Sequence, residues 1–283
     1  YSDFISSIWA NFHFFFIAVI FKLLNILTFT QIMLIYLAYC IYVQITSKTY
    51  LYYTKTNKNE KILQECPTLS NPSYKPHLLF PFAFQQLFIC SSPLLISNKP
   101  KLKYREEKVN QYGTTLYWPS FIDSEEIKDE QAPILFFMPG MTGDITDPYV
   151  IGLIVEGLQQ GYHVCMYQMI FFNKYFCVNE TGIFSHCEDI ESSLKFIKNK
   201  YKKAQILAIS GSFGANNCLY YLGVKHCKLP KEQKLIDAAV SISNPFDMEL
   251  CSKIGEKSFI HPLVALLEKK NSRKVRNSIE NCP

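Results

Sequence analysis

Ile206-Leu207-Ala208-Ile209-Ser210-Gly211-Ser212-Phe213-Gly214-Ala215-Asn216 is the stretch on which the fold turns. Its first four residues form a compact apolar run of buried-strand length, and a helical segment follows through Leu222, closed by Gly223. A serine hydroxyl attacks an acyl carbon only when it is exposed, oriented and served by a base. The tip of a tight strand-to-helix turn provides the first two. Such a turn crowds the backbone, so small residues are needed two before and two after the serine, the G-x-S-x-G pattern. Here Ser210 takes the first place and Gly214 the second, which makes Ser212 the candidate nucleophile. An ordinary serine cap of a helix fits the same letters. The strand before it, the helix after it and two earlier strand–helix units favour the nucleophile.

Those earlier units lie directly upstream. Leu102 to Val109 and Thr114 to Trp118 read as strands around the turn Gln111-Tyr112-Gly113. Ile134 to Met138 is a buried strand ending in Pro139-Gly140. Pro148 to Gln160 carries Val150, Ile151, Ile154, Val155 and Leu158 at helical spacing and is closed by Gly161. Tyr162 to Tyr167 is a further strand. His186 to Lys200 is an amphipathic helix, acidic first and lysine-rich last, as the helix dipole favours. Ala238 to Ile242 adds another strand. Alternation of this kind builds a mostly parallel sheet with helices on both faces.

Pro139-Gly140-Met141-Thr142-Gly143 follows the first buried strand. Acyl transfer generates an oxyanion that needs preorganised donors. One is the backbone N–H of Phe213, the residue after the nucleophile. The other comes from the loop after the third strand, where Met141 is the candidate.

Several segments together resemble the YheT-type α/β-hydrolases, the ABHD-type family whose eukaryotic members are membrane-anchored esterases and lipases. They are Pro139 to Gly143, Pro148-Tyr149-Val150, Gly161 to Val164, Glu188-Asp189-Ile190, Gly211 to Asn216, Tyr221-Leu222-Gly223 and Ser243-Asn244-Pro245-Phe246-Asp247. The resemblance spans about residues 76–265. It implies an α/β-hydrolase fold and hydrolysis of carboxylic esters, acylglycerols or phospholipids, through an acyl-serine and without cofactor or metal. The chain departs from the family's pattern at Tyr167 to Asn173, where an Asn-x-Arg-Gly stretch is usual, so the rim of the site is expected to differ.

A second departure concerns the base. The serine needs a histidine, and the histidine an acid, both following the nucleophile in this fold. His226 comes too soon after Ser212 and His261 lies in what would be a cap region, so neither is assigned. Asp247 belongs to a structural element before the cap. The expectation is a chain lacking its last two strands and, as written, little or no triad catalysis. The alternative is a catalytically incompetent, membrane-tethered relative that acts by binding.

At the other end, Phe4 to Phe21 and Leu23 to Ser47 contain no Asp, Glu, Lys or Arg. The second stretch exceeds the roughly 20 residues that cross a bilayer. Tyr36, Tyr39 and Tyr42, with Tyr50, Tyr52 and Tyr53, suit an interfacial belt. Only Lys22 separates the stretches, so one span and two both fit. Lys48, Lys55, Lys58 and Lys61 follow while Asp3 precedes, which places the globular part on the cytoplasmic side; the sequon Asn179-Glu180-Thr181 argues the reverse. The expected organisation is a transmembrane anchor over 1–48, a linker and domain-hugging segment over 49–100, and an incomplete hydrolase domain over 101–283.

The net charge of +5 is mild and its lysines are scattered, which argues against nucleic acid as a partner and for a lipid or small ester at a membrane. The ten cysteines include no C-x-x-C pair. Cys165 falls in a buried strand and Cys218 in a sheet-packed helix, the pattern of free thiols.

Overall fold

The computed structural model describes residues 19–20, 22, 28–70, 75–78, 80–81, 101–109, 114–123, 129–140, 143–168 and 187–256. The chain divides into two compact units, Tyr1–Leu95 and Ile96–Pro283.

In the first unit, helix α1 (Phe29–Thr46) starts at Thr28, whose hydroxyl accepts the Gln31 N–H while the Gln31 side chain accepts the Thr28 N–H. This capping box satisfies end groups that would otherwise lack intrahelical partners. The uncharged stretch begins earlier, at Leu23, but hydropathy does not register a cap. At about 1.5 Å per residue the 18 residues approach the roughly 30 Å of a bilayer core, and α1 is long and apolar enough to cross a membrane. Leu34, Leu37, Ile41 and Ile45 are all exposed; Cys40 is its one buried side chain. The linker and domain-hugging segment expected over 49–100 contains a further helix, α2 (Asn57–Glu65). The Thr56 hydroxyl caps it by accepting the Asn59 N–H at 3.2 Å. Nothing in α2 is buried, so no apolar stripe announces it.

The second unit holds a six-stranded sheet in the order β1-β2-β4-β3-β5-β6. The strands are β1 (Leu102–Lys108), β2 (Thr115–Phe121), β3 (Ile134–Met138), β4 (His163–Gln168), β5 (Ile206–Gly211) and β6 (Ala238–Ile242). β2 runs antiparallel to β1 and β4; β4, β3, β5 and β6 are mutually parallel. Helix α3 (Pro148–Gln159) links β3 to β4, α4 (Cys187–Lys200) precedes β5, α5 (Ser212–Val224) links β5 to β6, and α6 (Met248–Glu256) follows β6. This is the α/β-hydrolase fold. The sheet and its helices confirm the expected architecture, with strand ends displaced by a residue or two. The helix after β5 runs through Gly223 to Val224: nothing lies within 4 Å of where a Cβ would stand there, and an interior glycine costs only about 1 kcal/mol against alanine.

The fully buried β3 shows why helices cover both faces. Side chains alternate across a strand. Ile134, Phe136 and Met138 join a cluster with Ile190, Leu194 and Ile197 of α4 and Cys218 and Tyr221 of α5. Leu135 and Phe137 join Val150 and Ile154 of α3 with Val164 and Met166. Burial of each such large side chain contributes about 2 kcal/mol. Cys165 and Cys218 are both fully buried, as read from the sequence.

Strand order also fixes where a site can form. β3 leads on to β4 at one side, whereas its neighbour β5 leads on to β6 at the other. The loops leaving these two adjacent strands diverge, and the crevice outside their carboxyl ends is where open α/β sheets bind ligands.

Candidate active site

Ser212 stands in that crevice. It is the first residue of α5, directly after β5, and is exposed. Its φ is +51°, a left-handed conformation rare for residues with a Cβ. Ser243, just past β6, has the same value, and these are the two such non-glycine residues among those described. Each such residue costs of the order of 1–3 kcal/mol and persists only where its surroundings enforce it.

Gly214 enforces the first of them. A Cβ there would collide with the carbonyl oxygen of Pro139 and stand 2.6 Å from that of Met138. The first turn of α5 thus rests directly on the backbone end of β3. Ser210, where the family pattern has glycine, is fully buried, and its hydroxyl donates to the Val240 carbonyl at 3.0 Å. The substitution is accommodated because β6 supplies an acceptor and the hydroxyl is satisfied.

On the opposite side of the crevice, Gly140 lies at the start of the loop leaving β3. A Cβ at this position would lie 3.2 Å from the Ser212 Cβ and 3.7 Å from its Oγ. The Gly143 N–H donates to the Gly140 carbonyl at 3.0 Å, closing a turn. The structure thus brings together Ser212, Gly140 and the first turn of α5 that contains Phe213, at the positive end of the helix dipole. Met141 and Thr142 lie outside the described residues, as do 169–186 and 257–283. Of the altered rim, Tyr167 and Gln168 end β4, and the Gln168 side chain donates to the Gly143 carbonyl at 3.4 Å; residues 169–173, the sequon and His261 fall outside as well.

His226 is brought nowhere near the nucleophile. It follows the far end of α5, a helix of 13 residues and hence on the order of 20 Å long. Its Nε2 accepts the Ile236 N–H at 3.1 Å, which requires the neutral ring, and its ring lies 5.9 Å from that of Tyr221. Burial, and secondarily Lys234, push its pKa below the usual 6.5 against an opposing pull from Asp237. Folding disfavours this proton, so the unfolded chain takes it up first. The histidine's contribution to stability is complete above about pH 6.5 and is lost as the pH falls from there through the lower pKa of the folded protein. Urea midpoints at pH 7.5 and 5.5 should differ more for the native protein than for His226→Gln; equal differences would contradict this account.

Asp247 is likewise structural. Its carboxylate accepts the Leu250 N–H at 2.8 Å, and its carbonyl the Cys251 N–H at 2.9 Å, so it caps α6. One polar contact was not foreseen. The Asn216 side chain donates to the Pro245 carbonyl at 3.0 Å, joining the turn after β6 to the helix that carries Ser212. No group of three or more His, Cys, Asp or Glu suited to a metal ion occurs among the described residues.

Comparison with known proteins follows the same lines. No family model matches the chain. It is 26% identical over 192 residues to the embryogenesis-associated protein EMB8 of Picea glauca, covering 63% of this chain and 40% of that protein. Over 172 residues it is 27% identical to the phospholipase ABHD3 of Bos taurus, covering 57% and 39%. Over 173 residues it is 26% identical to the putative esterase YheT of Escherichia coli, covering 56% and 48%. The alignments thus span less than half the length of each of these relatives.

Proposed function

We propose that this chain, similar over more than half of its length to the putative esterase YheT and the phospholipase ABHD3, is a membrane-anchored serine hydrolase that cleaves carboxylic esters of lipids through Ser212. The observation that carries this reading is Ser212 itself, exposed and left-handed between β5 and α5 with Gly140 packed against it. Strain held at the mouth of a topological switch point is what a preorganised nucleophile requires.

In the reaction, Ser212 Oγ bonds to the acyl carbon while its proton passes to a base, and the carbonyl oxygen gains the negative charge. The backbone N–H groups of Phe213 and Met141 donate to that oxygen. The Gly140 N–H already donates to the Tyr149 hydroxyl at 3.3 Å, which favours Met141 as the donor from this loop. The carbon–oxygen bond to the alcohol then breaks with the proton returned to the leaving oxygen, and water releases the acyl group by the same steps reversed. His226 is not the base. Acylglycerols and phospholipids are the proposed substrates, supported by the phospholipase among the relatives and by α1 as a membrane anchor. The lysines after α1 support a cytoplasmic position for the hydrolase unit.

A fluorophosphonate probe tests this directly. Applied to membranes of cells that make the protein, it should label the native form and leave Ser212→Ala unlabelled. A folded native protein that resists the probe would identify a binding relative instead.

A further inference from the structure

Tyr149 has no part in the reaction above, yet its side chain engages the loop opposite the nucleophile, as the Gln168 side chain does at the Gly143 carbonyl. It sits in the first turn of α3, following Pro148, so the helix fixes its backbone. Its ring packs edge-on against Phe137 of β3, with centroids 6.4 Å apart. The ring is thus held from both ends of the loop, by the strand that enters it and the helix that leaves it.

The hydroxyl reaches back to the loop. It accepts the Gly140 N–H at 3.3 Å. It also occupies the space in which a Cβ on Gly143 would stand, with Pro139 Cβ only 2.7 Å from the same point. Both glycines of Pro139-Gly140-Met141-Thr142-Gly143 therefore have a physical reason. Gly140 makes room for Ser212, and Gly143 makes room for Tyr149. The Tyr149 oxygen and Ser212 Oγ each lie within 4 Å of the position a Gly140 Cβ would take. Burial, reinforced by Asp147 and Asp144 and opposed by the Gly140 N–H, holds the phenol above its usual pKa of 10, so it stays protonated at working pH.

We propose that Tyr149 is a positioning residue: its hydroxyl clamps Gly140 and Gly143 beside Ser212, and with them the loop to which the esterase reading gives the second oxyanion donor. The clamp acts through the loop. By occupying the Gly140 N–H it removes one alternative hydrogen bond that would let the turn rotate. It needs no contact with substrate. The proposal rests on the esterase reading above.

Tyr149→Phe separates the hydroxyl from the ring, and Tyr149→Ala removes both. In the full-length protein, Tyr149→Phe should lower kcat for a short p-nitrophenyl ester by about tenfold to a hundredfold, the cost of a misplaced donor set. KM should stay within about twofold and the thermal midpoint near that of the native protein. Hydrogen exchange at the Gly140 amide should speed up by about fivefold, the factor one ordinary hydrogen bond supplies. A merely structural ring would leave Tyr149→Phe indistinguishable from native, with only Tyr149→Ala impaired, and that result overturns the proposal. If the native protein neither hydrolyses esters nor reacts with fluorophosphonate, the esterase reading falls. In that case an unchanged Gly140 exchange rate in Tyr149→Phe also overturns the clamp, and an accelerated one upholds it.

Discussion

Ser212→Gly will make the protein more stable and unreactive. The left-handed φ of +51° costs a residue with a Cβ of the order of 1–3 kcal/mol, and glycine adopts it without penalty. Part of the gain is offset because glycine also frees the unfolded chain. A net stabilisation of about 1 kcal/mol remains, a rise in the thermal midpoint of about 2–4 °C for a domain of this size. On the proposed function, ester hydrolysis should fall by roughly a millionfold, to background, as when serine hydrolases lose their nucleophile. Calorimetry and probe labelling on the same preparation check both halves. An ordinary helix cap would behave differently, because replacing it with glycine costs a few tenths of a kcal/mol. A lowered midpoint would therefore count against a strained nucleophile.

Gly214→Ala should be the most damaging single methyl group in the hydrolase unit. Its Cβ would meet the Pro139 and Met138 carbonyl oxygens, which belong to the backbone and cannot swing aside as a side-chain tip can. Relief requires the first turn of α5 to lift from β3, and that turn carries Ser212 and Phe213. Overpacking against backbone is expected to cost about 3 kcal/mol. The midpoint should fall by about 10 °C. Probe labelling should be lost even in the fraction that stays folded, because the lift withdraws Ser212 from Gly140. By contrast Gly211→Ala meets nothing within 4 Å and should leave the midpoint within about 1 °C. Equal effects at positions 211 and 214 would show that contact with β3 is not what demands glycine.

These two glycines show what the sequence could and could not disclose. The apolar runs of β3 and β5, the period of α3 and the small residues around Ser212 each follow from one local rule, so the sheet and the elbow were legible residue by residue. The acceptor that satisfies the Ser210 hydroxyl, the Val240 carbonyl, lies thirty positions away, where no local rule reaches. Nothing local says that a helix-start tyrosine folds back onto a glycine turn, so the role of Tyr149 is not legible in the sequence. An aromatic at the first turn of the helix that follows a Gly-x-x-Gly loop was the available signal. Helix α2 was missed for a different reason. Period-based reading finds helices that bury a stripe, and α2 buries nothing. His226 was rightly set aside on spacing, and the Ile236 N–H it accepts supplies the structural reason for its burial.

The bond from Asn216 to the Pro245 carbonyl has a bearing on descent. It makes two distant runs of sequence, Gly211 to Asn216 and Ser243 to Asp247, parts of one object. A change at position 216 that loses the donor leaves the Pro245 carbonyl of the second run without this partner, two residues from the left-handed Ser243. Lineages should therefore keep the asparagine and the tight turn together or lose them together. Among distant relatives the pair would then serve as a single inherited character, a better marker of common ancestry than the serine alone, which unrelated hydrolases have acquired many times.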